Sequence, residues 1–275
     1  MKVSGLIGVV VGGISIALGA TIEGSNVAAI INIPALCIVL GGTLGASMGG
    51  ANFDAIKAIP MLYKKAFMPD PLDLPGRVAE LVGYAEKARR DGLLALDEQL
   101  ASVDDPYTRK GLQLVVDGTD PELVAEVLEA ENDAMRKRHA MCVQPFDKAG
   151  GYAPTMGIIG TVFGLVHVLT NLSQPETLGP MISSAFIATL LGVASANVVY
   201  LPVSSRLKGL SQEEMHFREM TLEGILAIQA GENPRFVNEK LMAYVPPSKR
   251  PTEEEAAAAA SGGGAGAADA EKAAA

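Results

Sequence analysis

Two threonines, Thr161 and Thr189, sit inside long apolar stretches whose other notable residues are small. Gly157, Gly160, Thr161 and Gly164 recur at spacings of three and four, as do Ala185, Ala188, Thr189, Gly192 and Ala196. At helical periodicity each set forms one narrow stripe. In lipid, small stripes let helix backbones approach closely. They serve equally for packing between this chain's own helices, between copies of it, or against a partner. A hydroxyl in such a stripe offers an oxygen ligand, or holds water, without the cost of a buried charge. That is chemistry suited to a passing cation. The carboxylate that an ion path normally shows is missing: no Asp or Glu lies within either stretch, and His167 is the one ionisable side chain there. A lone histidine near the end of a stretch reads as a packing or interface residue before a relay. If protons or sodium pass, the titrating carboxylate comes from a partner helix. Pro154 and Pro202 close the set. Prolines are ordinary near the ends of membrane helices, and they also free backbone carbonyls and make hinges.

These residues need elements to hold them. A helix crosses about 30 Å of hydrocarbon with roughly 20 apolar residues. Four blocks qualify: residues 3–22, 27–47, 152–172 and 178–203. The first carries its own small stripe, Gly5, Gly8 and Gly12, and reads as an uncleaved span, not as a signal peptide. The linkers 21–26 and 171–177 lack Lys and Arg, whereas Lys2, Lys57, Lys64, Lys65, Arg206 and Lys208 flank the opposite ends. The bias of basic residues places both termini in the cytoplasm. The expected organisation is two spans in 1–48, a helical cytoplasmic domain in 49–150, two spans in 151–205, a cytoplasmic helical region in 206–250, and a disordered tail in 251–275, rich in Ala, Gly and Glu. The fold class is all-α.

The charged middle of the chain reads as helices. Val78, Leu81, Val82 and Ala85 share a face that stops at Gly92. Asp105-Pro106 opens a helix that closes at Gly118, and Asp120-Pro121 opens the next. A net charge of −9 argues against nucleic-acid binding. Cys37 and Cys142 suggest neither a disulfide frame nor a metal site. No nucleotide loop or nucleophile constellation marks an enzyme, and no resident cofactor is implied.

Several segments together carry a resemblance: "PALCIVLGGTLGA" (34–46), "YAEKARRDGLLALDE" (84–98), "GGYAPTMGIIGTVFGLVHVL" (150–169), "LGPMISSAFIATLLGVASANVVYLPVSSRL" (178–207) and "EMTLEGILAIQAGENPR" (219–235). In this order they resemble the MotA/PomA family of flagellar motor stator subunits over nearly the whole chain to about residue 247. The resemblance implies four transmembrane helices in the inner membrane. It implies five copies around the helices of two MotB- or PomB-like B subunits, which bring the ion-binding aspartate. It further implies H+ or Na+ as the transported ion and a rotor switch protein as the cytoplasmic partner. Pro154 and Pro202 match the family's functional prolines. Arg89 and Asp97 match its rotor-facing base and acid, with a shorter acid than usual, and Arg90 and Glu98 are adjacent candidates. Thr161 and Thr189 match hydroxyls associated with Na+ contact, and the small stripes then face the B subunit. Arg89 and Asp97, eight residues apart across Gly92, are not expected to pair with each other. The related ExbB/TolQ family is the rival reading. It usually has three spans, and the extra N-terminal pair here speaks against it.

Overall fold

In the computed structural model the backbone of residues 4–24, 31–51 and 53–250 is described, with side chains from residue 7 and, after position 52, from residue 54. The first three residues, residues 27–30 of the anticipated second span and the 251–275 tail lie outside this set, as does the side-chain setting of Gly5. Among the described residues every regular element is helical. They form two compact units, Met1–Pro71 with Asp133–Glu213, and Leu72–Asn132 with Glu214–Ala275.

The first unit is made of apolar helices. Ser4–Ile22 matches the first anticipated span. The second begins later than expected, at Ile33, because Asn32 caps it. The Asn32 side chain accepts from the Ala35 amide at 3.1 Å, and Pro34, lacking an amide hydrogen, sits in the first turn. The helix then runs to Gly49 through a π-turn at Cys37–Gly41. Pro121–Thr170 and Pro175–Gln229 are each long and apolar enough to cross a membrane, whereas Ile33–Gly49 is apolar but shorter. The faces they leave uncovered are greasy: Ile7, Val11, Ile14 and Leu18 on the first helix, Ile158, Val162, Phe163 and Leu169 on the third, Phe186 on the fourth. Exposed apolar surface on this scale marks faces that meet lipid or other protein chains. The amphipathic Phe53–Phe67 helix packs Leu62 and Ala66 against Val143, Phe146, Val203 and Leu207, with Tyr63 edge-on to Phe146 at 5.2 Å.

The second unit has a conventional core. Val78, Leu81, Leu96, Leu112, Leu128, Ile225, Ile228 and Leu241 are all buried in one cluster. The expected caps are in place: Asp105 accepts from the Thr108 amide and Asp120 from that of Glu122; Asp73, accepting from the Gly76 amide, adds a third that was not expected. Gly92 and Gly118, at φ 87° and 75°, take the positive φ that glycine adopts readily, just past the ends of their helices.

A polar network inside this unit was not anticipated. Asn132, 5% exposed, donates to the Tyr107 hydroxyl at 2.9 Å. The Arg218 guanidinium lies 4.5 Å over the Tyr107 ring and 3.4 Å from Glu131, which also takes a 2.8 Å hydrogen bond from Lys110. Burial pushes the Tyr107 phenol up to about 12. The Lys110 hydrogen bond outweighs desolvation and, with Arg218, holds the Glu131 carboxyl below its ordinary value. A lowered folded-state value stabilises the fold above the unfolded value, and this contribution disappears as pH falls through the folded one. Glu131→Gln is therefore expected to lose about 1 kcal/mol at pH 7. Its deficit against the parent should close as pH drops below about 4.5, measured by thermal unfolding of the purified chain at stepped pH. A deficit that is constant with pH would rule out the ionic origin.

Candidate functional site

The two threonine-bearing stripes meet each other. A Cβ added at Gly157 would lie 2.8 Å from the Ala188 carbonyl oxygen and 3.1 Å from the Thr189 Cα. One at Gly192 would lie 2.5 Å from the Ala153 carbonyl oxygen. Gly160 comes up against the Ala188 methyl, and Gly164 against that of Ala185. Ala185 and Ala188 are each 2% exposed. Backbone thus rests on backbone between Pro121–Thr170 and Pro175–Ser195. Of the uses open to the small stripes, packing within the chain is the one this contact displays.

The hydroxyls sit in that seam, half-buried. The Thr161 Oγ1 lies 2.9 Å from the Ala185 carbonyl oxygen, 3.1 Å from that of Gly157, and in hydrogen-bond contact with the Thr189 Oγ1. Thr189 in turn reaches the Gly157 carbonyl at 3.5 Å. Four neutral oxygens therefore converge where glycine lets the helices close. With two hydroxyl protons among them, they can hand a proton across or turn lone pairs towards a small cation.

Pro154 and Pro202 both lie on one side of this seam, towards the close contact of Gly150 with Leu201. Both lie within continuing helices, not at helix ends. Pro154 cannot donate to the Gly150 carbonyl, nor Pro202 to that of Val198. Immediately before Pro202 the helix opens into a π-turn, Ala196–Tyr200. Such turns concentrate at functional sites. The only sequence cue to this one is the proline, whose ring crowds the preceding turn of a regular helix.

His167 borders a groove of about 420 Å³ with Asn32, Pro34, Phe163, Met181 and Ser184. Asn32 donates to the Ser184 hydroxyl across it. Asn32 falls inside the expected 27–47 span, and spacing gives no sign of this polar bridge because its partner lies 152 residues away.

In the other unit the charged segment is held on a rigid base. Arg89 and Arg90 occupy the last turn of Leu74–Asp91. Gly92 reverses the chain, a 3-10 turn at Leu93–Leu96 follows, and Asp97 and Glu98 open the next short helix. Leu96, fully buried, anchors the turn. All four charged side chains are exposed. Arg90 grips Asp91 with two hydrogen bonds, at 3.0 and 2.9 Å, and that grip holds the Asp91 carboxyl below its ordinary value. Glu98 lies 3.7 Å from Lys87. Among the described residues Arg89 and Asp97 make no ion pair, with each other or elsewhere, which leaves both charges directed outward.

The MotA/TolQ/ExbB proton channel family model matches residues 99–220. Motility protein A of Bacillus subtilis is 34% identical over 251 residues, 91% of this chain and 93% of that protein. Chemotaxis protein PomA of Vibrio alginolyticus is 31% identical over 92% of this chain and 99% of its own length. Among solved structures, MotAB of C. jejuni superposes with a TM-score of 0.86 at 30% identity, over 90% of this chain and 97% of that one. The flagellar MotAB stator complex of Bacillus subtilis gives 0.84 at 33% identity, over 90% and 98%. Likeness at this level covers about nine-tenths of the chain and so reaches both units, and the chain belongs to the motility protein A family of flagellar stator subunits, within the MotA/TolQ/ExbB proton channel family.

Proposed function

We propose that this stator subunit spans the inner membrane four times with both termini in the cytoplasm. Five copies ring the helices of a MotB- or PomB-like partner, and ion flow along the threonine seam drives torque on the rotor through Arg89 and Asp97. The observation that carries the reading is the oxygen seam in two apolar stretches, residues 152–172 and 178–203, that hold no carboxylate of their own. Four converging neutral oxygens solvate an H+ or Na+ in passage. The group that binds and releases it by titrating has to be supplied by a second chain. Thr161 and Thr189 stand as the contacts for the ion. Pro154 and Pro202, with their freed carbonyls and the wide turn at 196–200, make the nearby helix segments deformable. Exposed apolar flanks supply the surface that lipid and neighbouring chains cover.

The 89–98 segment suits a moving partner. Exposed charges steer and register an encounter more than they hold it. Each pair is worth about 0–1 kcal/mol, so neutralising Arg89 alone is expected to weaken swimming without abolishing it. Arg89→Glu is expected to do worse, since it turns attraction into repulsion. A matching reversal on the rotor protein is expected to recover part of the loss. Swimming speed and stator recruitment are measured with membrane level as the control. An Arg89→Glu strain that swims normally removes the torque role from this residue.

A further inference from the structure

The Phe53–Phe67 helix has a second face that the stator reading leaves unused. Its inner face, Ala55, Leu62 and Ala66, is buried. Its outer face carries Lys57, Met61, Lys64 and Lys65, all exposed, and Met68 extends that face, its amide donating a 2.7 Å hydrogen bond to the Lys64 carbonyl. Met61 is 65% exposed and Met68 72%. Asp54 is the one acid on the helix, so three lysines stand on a short helix of a chain whose net charge is −9. The helix starts four residues after an apolar helix ends at Gly49.

We propose that this face binds the anionic phospholipid headgroups of the cytoplasmic leaflet. The inference rests on the membrane placement proposed above. Three features decide the occupant. Lysines on one face, next to the end of a membrane helix, are attracted to an anionic lipid surface. The interleaved methionines are flexible apolar side chains that fit between acyl chains just below the headgroups. A lysine stem lies along apolar surface while its ammonium reaches the phosphate. A rotor or other protein surface would satisfy the charges but leave Met61 and Met68 without an apolar counterpart.

The test uses the full chain purified in mild detergent. Phosphatidylglycerol and phosphatidylcholine are titrated in, and retained lipid is counted by native mass spectrometry. Insertion into phosphatidylcholine vesicles is checked in parallel. The wild type is expected to prefer phosphatidylglycerol. Replacing all three lysines (K57Q, K64Q and K65Q together) is expected to lower that affinity at least about tenfold, since each lysine near an anionic surface contributes roughly fivefold. The triple Lys→Arg chain is expected to retain binding, and soluble glycerol phosphate is expected not to compete. A triple glutamine chain that binds like the parent, or full competition by glycerol phosphate, overturns the lipid assignment while leaving the stator reading intact. A wild type that enters no vesicle overturns the membrane placement as well.

Discussion

Gly157→Ala is expected to cost this protein its function, although the change adds one methyl group. The new Cβ would stand 2.8 Å from the Ala188 carbonyl oxygen and 3.1 Å from the Thr189 Cα. Those neighbours are backbone, fixed by the hydrogen bonds of their own helix, so relief comes only from moving the whole helix. Overpacking of this kind typically costs 1–3 kcal/mol. In lipid there is no hydrophobic pressure to press the helices together again. Separation also stretches the Thr161–Ala185 hydrogen bond, so the proposed ion contact is expected to fail with the packing. Gly192→Ala is expected to behave the same way, its Cβ meeting the Ala153 carbonyl oxygen at 2.5 Å. Gly45→Ala is the control, since a Cβ there finds nothing within 4 Å. Membrane accumulation, copurification with the B-type partner and spreading in soft agar are measured for all three. A Gly157→Ala strain that spreads like the parent would show that the seam yields, and the close contact would lose its importance.

Thr161→Val has the second large expected effect, and it separates chemistry from packing. Valine keeps the shape and removes the oxygen. The Ala185 carbonyl remains within its own helix, and the Thr189 hydroxyl still reaches Gly157, so no buried group is stranded at great cost. The complex is expected to assemble at parental levels while swimming falls by an order of magnitude or more, and Thr161→Ser is expected to restore most of it. Swimming of parent and variant across a sodium series, with and without a protonophore, assigns the ion. A parental response to sodium that the variant loses marks a sodium motor. A parent indifferent to sodium but stopped by the protonophore marks a proton motor in which the hydroxyls hold water. A Thr161→Val strain that swims normally leaves these hydroxyls as packing groups.

Where the chain's own chemistry speaks locally, the sequence was readable. Asp105 and Asp120 each stand before a proline that opens a helix, and Gly92 and Gly118 follow the last helical turn; all four bound elements where expected. The stripes were visible too, since spacing alone puts Gly157 and Gly164 on one face. What spacing could not supply was what that face touches. Within the expected 27–47 span the helix starts at Ile33, where the cap signal of Asn32 with Pro34 interrupts a run of apolar residues that hid it. The expected cytoplasmic and membrane segments meet at Gly150–Gly151, inside the unbroken Pro121–Thr170 helix, where Ala149 and Ala153 pack on Ala196 and Tyr200. Asn132 and Tyr107 were invisible as a pair because they are 25 residues apart and meet only when their helices pack.

The π-turns at Cys37–Gly41 and Ala196–Tyr200 have a consequence for how this chain can change length. Losing one residue from a regular α-helix rotates everything beyond it by about 100°. A π-turn already contains one residue more than its flanking α-turns, so losing that residue lets the turn close into ordinary helix while both flanks keep their angular phase. Near the 196–200 turn, Gly192 would keep facing Gly157 while Pro202 kept its own heading. Single-residue indels among relatives should therefore collect at these two turns, leaving the glycine seam between them undisturbed.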